Sequence, residues 1–362
     1  MTKPKTKVAI ISLSLECGGA ERFAVNLSHI LTSLDYEIHN IIINNKIDYT
    51  PSGVIFNLGL KSLKYTSFYR KIKKGVLLHK YLKENSIEII IDNRTRIGIF
   101  KEYITKLIYS HRRVFYLIHS YKIIDYLPNK SFFTKIIYNK AHNLICVSKE
   151  IQNLIIDKYQ FQNTVVIYNP FDLLTIVEED GIDIPEKYIL FFGRLDEKVK
   201  NFSLMLDAFD KSEIYKNGYT LIIMGQGNDE EFIKLKIEAL NLQDSVKIIS
   251  FQNNPFYYVK NARFTVLTSR YEGFPMSVIE SLGVGTPVVS VDCKSGPSEV
   301  IINEYNGLLV ENNNEELLSV AFKRFVDDEI LYNFCKGNAQ QSVQHLSIEN
   351  ITKQWKEILA KQ

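Results

Sequence analysis

Residues 269–280 read SRYEGFPMSVIE and directly follow the apolar run Phe264–Thr268. The run predicts a buried β-strand, Gly273 and Pro275 predict a turn, and the amphipathic residues that follow predict a helix. Pro275 suits the first turn of that helix, where its missing N–H costs nothing. A strand, a loop and a helix in this order form the repeating unit of an α/β fold with a parallel sheet.

The same unit recurs along the whole chain. In the first half the predicted strands are Val8–Leu13, Ile38–Asn44, Val54–Leu58, Ile87–Asp92, Val114–Ile118 and Leu144–Val147, with helices at 21–33, 66–83, 98–109 and 131–142. In the second half the strands are Ile189–Phe192, Thr220–Met224, Val246–Ile249, Phe264–Thr268, Val288–Val291 and Leu308–Val310, with helices at 201–210, 229–240, 275–283, 314–326 and 329–342. We therefore predict an α/β protein of two doubly wound, Rossmann-like domains.

The length of 362 residues agrees with two domains of about 150 residues or more each. We place them at residues 1–172 and 173–345. A C-terminal helix over 346–362 carries Trp355, the only tryptophan, and is expected to pack back toward the N-terminal domain. Ligands of open parallel sheets bind beyond the carboxyl ends of the strands, so we expect the site in a cleft across which the two domains face each other.

Composition excludes several classes of protein. With 46% hydrophobic and 23% charged residues, the chain is not disordered. Cys17, Cys146, Cys293 and Cys335 are far apart, which predicts buried thiols in a reducing compartment, the cytoplasm. Apolar stretches end within about ten residues, short of the ~20 that a membrane span needs. Glu16 interrupts the start of the chain, which otherwise resembles a signal peptide.

The net charge of +3 conceals an uneven distribution: residues 1–172 carry 25 basic and 13 acidic side chains, whereas the remainder carries 19 and 28. The segment Lys61–Lys83 interleaves cations with Tyr65, Phe68 and Leu78. A basic amphipathic segment with aromatic residues suits an anionic lipid surface. We therefore expect peripheral attachment to the cytoplasmic face of the inner membrane. An ordinary solvated helix face is the alternative.

Glu272 and Glu280 are eight residues apart. At a rise of about 1.5 Å per residue, helical positions so spaced lie about 12 Å apart, against about 5–5.5 Å between the carboxylates of a retaining glycosidase. The pair better suits two carboxylates that grip separate parts of one hydroxyl-rich ligand. The free N–H groups of Met276, Ser277 and Val278 predict an anion site at the start of the helix. The alternative is a surface glutamate and a helix-capping one.

Two other strand ends carry candidate phosphate-binding residues. Arg194 ends the first strand of the second half, and Lys198 and Lys200 follow it, which predicts a diphosphate clamp or, alternatively, a solvated basic loop. Gly18 and Gly19 follow the first strand of the chain and allow a phosphate or sugar to approach the backbone. The third glycine of a dinucleotide-binding fingerprint is missing, which weighs against a nicotinamide enzyme.

Among the seven histidines, His119 stands out because it directly follows the apolar run Val114–Ile118, although a structural role is the alternative. The sequence contains no Asp-x-Asp, no Walker-type Gly-Lys-Ser/Thr, no His-Glu-x-x-His and no Gly-x-Ser-x-Gly. We therefore predict no metal site, no cofactor and no serine nucleophile.

Taken together, these segments resemble the family 4 glycosyltransferases, retaining enzymes of the GT-B fold. The matching segments are Gly18-Gly19-Ala20-Glu21-Arg22, His119-Ser120, Val147-Ser148, Asn169-Pro170, Gly193-Arg194-Leu195, Met224-Gly225, Glu272-Gly273-Phe274-Pro275 through Glu280, Gly285-Thr286-Pro287-Val288-Val289 and Ser295-Gly296-Pro297-Ser298-Glu299. The resemblance implies a metal-independent, retaining transfer of a hexose or N-acetylhexosamine from a nucleotide sugar. UDP is favoured over GDP, and the acceptor would be a lipid-linked glycan of cell-surface polysaccharide biosynthesis, such as lipopolysaccharide, O antigen or capsule.

The resemblance also implies residue roles. The donor-binding residues would be Gly18, Gly19, Arg194, Lys200, Gly273, Phe274, Pro275, Met276, Ser277 and Glu280, with Lys198 as the alternate to Lys200. Arg194 and the lysine would hold the diphosphate, and Glu280 would bind the ribose hydroxyls. Glu272 and His119 would be catalytic, both contacting the transferred sugar.

Other functions stay open at this stage. A nucleotide-sugar epimerase or a phosphorylase could share the fold, and a sugar-binding module could share the site. A nucleic-acid-binding protein could use the basic half, although no recognised binding motif accompanies the charge, and we expect no nucleic acid partner.

Overall fold

The computed structural model describes residues 4–16, 18–63, 66–171, 184–252 and 254–361. The chain divides into two compact units, Met1–Pro170 with Ile348–Gln362, and Phe171–Ser347. The domain boundary predicted between residues 172 and 173 lies outside the described residues, as does Cys17.

Each unit is built on a parallel sheet. The strands are β1 (Lys7–Ser12), β2 (Glu37–Ile42), β3 (Val54–Asn57), β4 (Ile89–Asp92), β5 (Arg113–Ile118), β6 (Asn143–Cys146), β7 (Thr164–Val166), β8 (Tyr188–Arg194), β9 (Thr220–Gln226), β10 (Val246–Ser250), β11 (Thr265–Leu267), β12 (Val288–Asp292) and β13 (Gly307–Glu311). Within the described ranges, the first unit has seven strands in the order β3-β2-β1-β4-β5-β6-β7 and the second has six in the order β10-β9-β8-β11-β12-β13. In each sheet the chain starts at an inner strand, β1 or β8, adds strands on one side and then adds the remaining strands on the other side. This topology confirms the predicted doubly wound α/β fold.

Helices connect the strands. They are α1 (Gly19–Ser33), α2 (Leu58–Lys61), α3 (Ser67–Glu84), α4 (Ile99–Ile108), α5 (Ser131–Tyr138), α6 (Lys149–Tyr159), α7 (Glu197–Lys200), α8 (Phe202–Ser212), α9 (Glu230–Ala239), α10 (Phe256–Asn261), α11 (Met276–Gly283), α12 (Pro297–Val300), α13 (Glu315–Asp327), α14 (Glu329–Ser342) and α15 (Ile348–Ala360). In the part of the chain that the structure describes, no helix is long and apolar enough to cross a bilayer.

The central strands are buried on both faces. Ile10 of β1, Ile91 of β4 and Leu117 of β5 are fully buried in the first unit, as are Phe191 of β8 and Val289 of β12 in the second. A parallel strand covered by helices on both sides needs apolar residues at every position. This is why these strands stand out in the sequence as continuous apolar runs.

The sequence analysis did not predict strand β7, helix α6 or the short helices α2, α7, α10 and α12. The edge strand β7 has only three residues, too few to show a period. Helix α6 was also missed, although its first turn carries a signal: the side chain of Ser148 accepts a hydrogen bond from the N–H of Ile151 at 3.2 Å. A serine in this position satisfies a free N–H group at the start of a helix.

The C-terminal helix α15 belongs to the first unit. Its Trp355 is fully buried and its ring centroid lies 6.5 Å from that of Phe23 on α1. Ile351 and Leu359 of the same helix face share this core. Helix α15, near the end of the sequence, therefore contributes to the same core as α1, near its start.

The variant Trp355→Ala should lower the free energy of unfolding by about 3–5 kcal/mol, the usual cost of removing a large aromatic side chain from a core. Urea unfolding followed by circular dichroism measures the loss. Lys356→Ala, at an exposed position of the same helix, is the control and should change it by less than about 0.5 kcal/mol. Equal effects of the two variants would contradict the packing of α15 in the first unit.

Candidate active site

Two loops of the second unit meet at the carboxyl edge of its sheet. One follows β8 and contains α7, and the other joins β11 to α11. The N–H of Arg270 donates to the carbonyl of Val199 at 2.8 Å, and the hydroxyl of Thr268 donates to the carbonyl of Lys200 at 2.8 Å. These bonds hold together two segments that are distant in sequence.

An ion pair lies where the two loops meet. Lys200 Nζ is 2.6 Å from Glu272 Oε1, and the hydroxyl of Ser269 donates to the same oxygen at 2.6 Å. The side chains of Lys200 and Glu272 are 16% and 12% exposed, so the pair is shielded from water but still reachable. Lys198, the other lysine that the sequence offers for the clamp, is exposed. The structure thus brings Lys200 to the glutamate.

The turn that follows β12 holds the backbone of Glu272 in place. The N–H of Glu272 donates to the carbonyl of Lys294 at 2.9 Å. Gly296 has a φ of 111°, and a Cβ there would collide with the ring of Pro275. Glycine is therefore required at this position both for its backbone conformation and for the close approach of the two loops.

The first turn of α11 offers fewer free N–H groups than the sequence suggested. Val278 and Ile279 both donate to the carbonyl of Pro275, at 3.0 and 3.2 Å. Within the described residues, this leaves the amides of Met276 and Ser277 as those of the turn without a backbone acceptor. Val278 was expected to be free, but Pro275 occupies the capping position immediately before the helix, so its carbonyl already accepts the amide of Val278.

The other residues of this segment are buried. Gly273 and Phe274 lie below the surface, and the hydroxyl of Ser295 donates to the carbonyl of Gly273 at 2.8 Å. Glu280, inside α11, is only 4% exposed and interacts with its surroundings. A carboxylate so far from water must be paired. Glu280 is therefore not a surface glutamate, which was one of the two sequence interpretations.

Arg194 occupies the end of β8. Its side chain is 67% exposed and its guanidinium lies 3.3 Å from Asp196 Oδ2. The backbone beneath it is tightly packed, because a Cβ on Gly225 of β9 would collide with the carbonyl of Gly193. Gly225 therefore allows the ends of β8 and β9 to pack closely. The guanidinium thus projects into solvent from a well-packed backbone.

In the first unit, the carboxyl ends of β4 and β5 carry a linked pair of side chains. His119 Nε2 lies 2.5 Å from Asn93 Oδ1, and Asn93 Nδ2 donates to the carbonyl of Ala20 at 2.9 Å. Because the amide nitrogen of Asn93 donates, its oxygen accepts, and the proton of His119 is on Nε2. Sequence analysis missed Asn93, although it directly follows strand β4.

The environment of His119 keeps its ring neutral. Burial and, to a smaller extent, the nearby positive charge of Arg96 together lower the pKa of His119 to about 3. With the proton on Nε2, Nδ1 is a hydrogen-bond acceptor, and it is buried without a partner among the described residues. His119 is therefore suited to accept a hydrogen bond and not to carry a charge.

Gly18 and Gly19 form the start of α1, which begins two residues before the predicted helix. A Cβ on Gly18 would collide with the carboxylate of Glu21, whereas a Cβ on Gly19 would meet no protein atom within 4 Å. The packing of the described residues therefore does not require glycine at position 19. The open space there leaves room for a ligand next to the positive end of the helix.

A buried ionic cluster, also missed from the sequence, surrounds the end of β4. Arg94 binds both carboxylate oxygens of Asp92, at 2.9 and 2.6 Å, and also approaches Glu102 at 3.4 Å. The hydroxyl of Tyr109 donates to Asp92 at 3.1 Å. Burial acts to raise the pKa of Asp92, but Arg94 and Arg96 lower it overall. Each charge has an opposite partner, so the cluster anchors the β4–α4 loop.

The predicted basic segment forms the end of α2 and most of α3. Lys71, Lys80 and Lys83 are exposed, whereas Lys74 Nζ donates to the main-chain carbonyl of Ile43 at 2.6 Å. Residues 64–65 of the segment lie outside the described residues. Part of the segment is thus a solvated basic surface, and part is used within the first unit.

Comparisons with known proteins show the family to which the chain is related. A family model described as Glycosyltransferase Family 4 matches residues 17–173, and one described as Glycosyl transferases group 1 matches residues 175–342. The chain is 31% identical over 356 residues to the Campylobacter jejuni N-acetylgalactosamine-N,N'-diacetylbacillosaminyl-diphospho-undecaprenol 4-alpha-N-acetylgalactosaminyltransferase, covering 92% of this chain and 94% of that protein.

Two further proteins are similar to this chain, one over about half of its length and the other over nearly all of it. The lipopolysaccharide 1,6-galactosyltransferase of Salmonella typhimurium is 29% identical over 171 residues, or 46% of this chain and 47% of that protein. The crystal structure of Anabaena HepE in complex with UDP superposes with a TM-score of 0.79 at 18% identity, covering 99% of this chain and 100% of that one. The similarity to HepE, at this level of sequence identity, shows that the two proteins share a fold.

The low pKa of His119 predicts a loss of stability in mild acid. An unfolded histidine binds a proton below about pH 6.5, whereas the folded state resists protonation of His119 down to about pH 3. The unfolded state therefore gains protons first, and the free energy of unfolding should fall by about 1 kcal/mol between pH 6.5 and 5.5 from this residue alone.

Urea unfolding at several pH values measures this contribution. His119→Gln should remove it and flatten the pH dependence, whereas His29→Gln, at an exposed position, should leave the dependence unchanged. The same slope in wild type and His119→Gln would show that His119 titrates normally in the folded protein.

Proposed function

Because this chain belongs to the family 4 glycosyltransferases, we propose that it transfers a hexose or an N-acetylhexosamine from a nucleotide diphosphate sugar to a glycan acceptor, with retention of configuration. The observation that carries this proposal is the pair of Lys200 and Glu272 at the carboxyl edge of the second sheet, with Nζ and Oε1 2.6 Å apart. The pair combines a cation suited to phosphate with a carboxylate suited to sugar hydroxyls.

The leaving group of such a reaction is a nucleoside diphosphate, whose negative charge grows as the bond to the sugar breaks. Lys200, Arg194 and the first amides of α11 supply positive potential that is in place before the reaction begins. Arg194 is exposed, so it is available for a bidentate contact with phosphate oxygens. In this proposal these groups balance the charge of the leaving group without a metal ion.

Glu272 orients the sugar and does not form a covalent bond to it. Its Oε1 accepts hydrogen bonds from Lys200 and Ser269. The diphosphate attracts the ammonium group of Lys200, and Ser269 remains bound to the carboxylate. Glu272 can then accept hydrogen bonds from the sugar and stabilise positive charge at its ring. The departing phosphate takes the proton of the acceptor hydroxyl on the same face of the sugar.

His119 and Gly19 act from the first unit in this proposal. Asn93 holds the proton of His119 on Nε2, so Nδ1 is the acceptor. When the transferred sugar binds against the imidazole ring, Nδ1 accepts a hydrogen bond from one of the sugar hydroxyls. The open space over Gly19 admits the diphosphate.

We further propose UDP as the nucleotide and a lipid-linked glycan of cell-surface polysaccharide synthesis as the acceptor. UDP is bound in the HepE complex that shares this fold. The name of the Campylobacter relative specifies a diphospho-undecaprenol acceptor, and that of the Salmonella relative specifies lipopolysaccharide. The exposed lysines of α3 suit electrostatic attachment to an anionic inner-leaflet surface, at about 1 kcal/mol each.

A panel of UDP- and GDP-sugars tests the proposal. Each is scored by donor hydrolysis, by transfer to a lipid-linked glycan and by the rise in melting temperature on binding. We expect one UDP-sugar to be hydrolysed and to stabilise the protein. Failure of every donor would overturn the proposal, and conversion of a donor into its epimer without release of nucleotide would identify an epimerase.

Lys200→Ala and Arg194→Ala should each weaken UDP binding by about 10-fold or more, because each removes a charge-assisted hydrogen bond to the diphosphate. Isothermal titration calorimetry measures the dissociation constant. Lys198→Ala is the matched control, since it removes an exposed cation from the same short helix. A larger loss of UDP affinity in Lys198→Ala than in Lys200→Ala would show that Lys198, and not Lys200, binds the diphosphate.

Glu272→Gln should lower kcat by about 100-fold or more while UDP still binds, because the amide cannot stabilise positive charge at the sugar ring. Steady-state transfer assays and UDP titration separate the two effects. Glu238→Gln, an exposed position on α9, is the control. Near-normal turnover in Glu272→Gln would rule out this role.

A further inference from the structure

Helix α4 has its polar side inside and its apolar side outside. The stripe formed by Glu102, Thr105 and Tyr109 is buried against the first unit. The opposite stripe, which we call the apolar face of α4, is exposed and consists of Ile99, Phe100, Tyr103, Ile104 and Leu107. Phe100 is 78% exposed. An amphipathic helix of a soluble domain normally buries the apolar stripe.

Polar contacts hold the helix in this orientation. Glu102 approaches the guanidinium of Arg94 at 3.4 Å, and Tyr109 donates to Asp92 at 3.1 Å. Turning the apolar face inward would expose it to this ionic cluster and would leave Arg94 with one buried carboxylate fewer. The orientation is therefore a built feature of the unit and not a loose helix end.

The neighbouring helix α3 adds further exposed apolar residues next to α4. A Cβ on Gly75 of α3 would lie 3.7 Å from Ile108 of α4, so the two helices are in contact. Ile72 and Val76 of α3 are themselves 52% and 55% exposed. Scattered exposed apolar residues need no explanation, but their concentration on two helices in contact marks a surface that something covers.

The charges around the apolar face indicate what covers it. Between residues 61 and 149 the chain has 19 basic and 5 acidic residues. Two of the five acids, Asp92 and Glu102, are buried in the ionic cluster, and a third, Asp125, lies 3.5 Å from Lys122. Lys71 and Lys101 are exposed on α3 and α4 themselves. Apolar and aromatic side chains within a field of cations match the interface of an anionic bilayer.

We propose that the apolar face of α4 inserts into the acyl boundary of an anionic membrane, so that attachment is hydrophobic as well as electrostatic. The choice of lipid as the partner rests on the proposed lipid-linked acceptor, whereas the insertion itself rests on the orientation of α4. Electrostatic attachment by α3 alone would be lost in salt, because charges are screened beyond about 3 Å at about 1 M. Inserted side chains are not released in this way.

Flotation with vesicles of phosphatidylglycerol and phosphatidylethanolamine, at low salt and at about 1 M sodium chloride, tests the insertion on the full chain. The wild type should stay bound in part at high salt. The double variant Phe100→Ser/Leu107→Ser should bind at least about 10-fold more weakly, since each lost insertion removes apolar burial. Ile330→Ser/Phe334→Ser is the matched control, because it changes two exposed apolar residues of the second unit.

Full release of the wild type at high salt, or equal binding by the two double variants, would overturn the proposal. So would a wild-type dimer in analytical ultracentrifugation that Phe100→Ser/Leu107→Ser converts to a monomer without any effect on flotation, because the apolar face would then bind a second copy. UDP titration and circular dichroism of each variant establish that it is folded. They also separate this outcome from failure of the proposed transferase activity, which flotation does not measure.

Discussion

Parallel strand pairing decides where polar chemistry is found in this protein. Each strand must be followed by a crossover that returns the chain to the opposite edge, so every loop that follows a strand opens at the same edge of its sheet. The central strands are buried on both faces and are mostly apolar, so most polar side chains lie beyond them. In the first unit this edge collects Asn93 and His119 from β4 and β5, and in the second it collects Lys200 and Glu272 from the loops after β8 and β11. The members of each pair are distant from each other in sequence, and it is the sheet that brings them together.

The two edges use buried charge differently. The cluster of Asp92 and Arg94 is sealed, with side chains 0% and 4% exposed and both carboxylate oxygens occupied by the same guanidinium. Separating such a pair would leave a charge in a medium of low dielectric constant, so the arrangement is stiff. The pair of Lys200 and Glu272 has one lysine contact on one oxygen and retains some exposure. An incoming anion can therefore compete for the lysine without burying an unpaired charge, which suits a binding site.

Sequence analysis predicted most strands and helices and the fold class, because continuous apolar runs and helical periods leave a local signal. It also singled out Glu272 and His119 by their places after strands. It missed Asn93, whose partner His119 lies 26 positions away, since a contact between strand ends has no local signature. It predicted α4 from its period but had no means to tell which stripe faces inward, because a hydrophobic period has the same form in either orientation. Sequence analysis favoured Lys200 over Lys198 for the clamp, but it had no signal for the contact of Lys200 with Glu272 in the β11–α11 loop.

The short segment Asp92-Asn93-Arg94 joins two features that are otherwise unrelated. The side chain of Asn93 sets the tautomer of His119, and the side chain of the next residue, Arg94, binds Glu102 of α4. Arg96, two residues further, donates to the carbonyl of Leu117 on β5, the strand that precedes His119. A displacement of α4 therefore acts on the backbone that carries Asn93 through charged contacts and not through soft apolar packing. The contact that orients α4 and the contact that orients His119 are therefore made by adjacent residues of one buried segment.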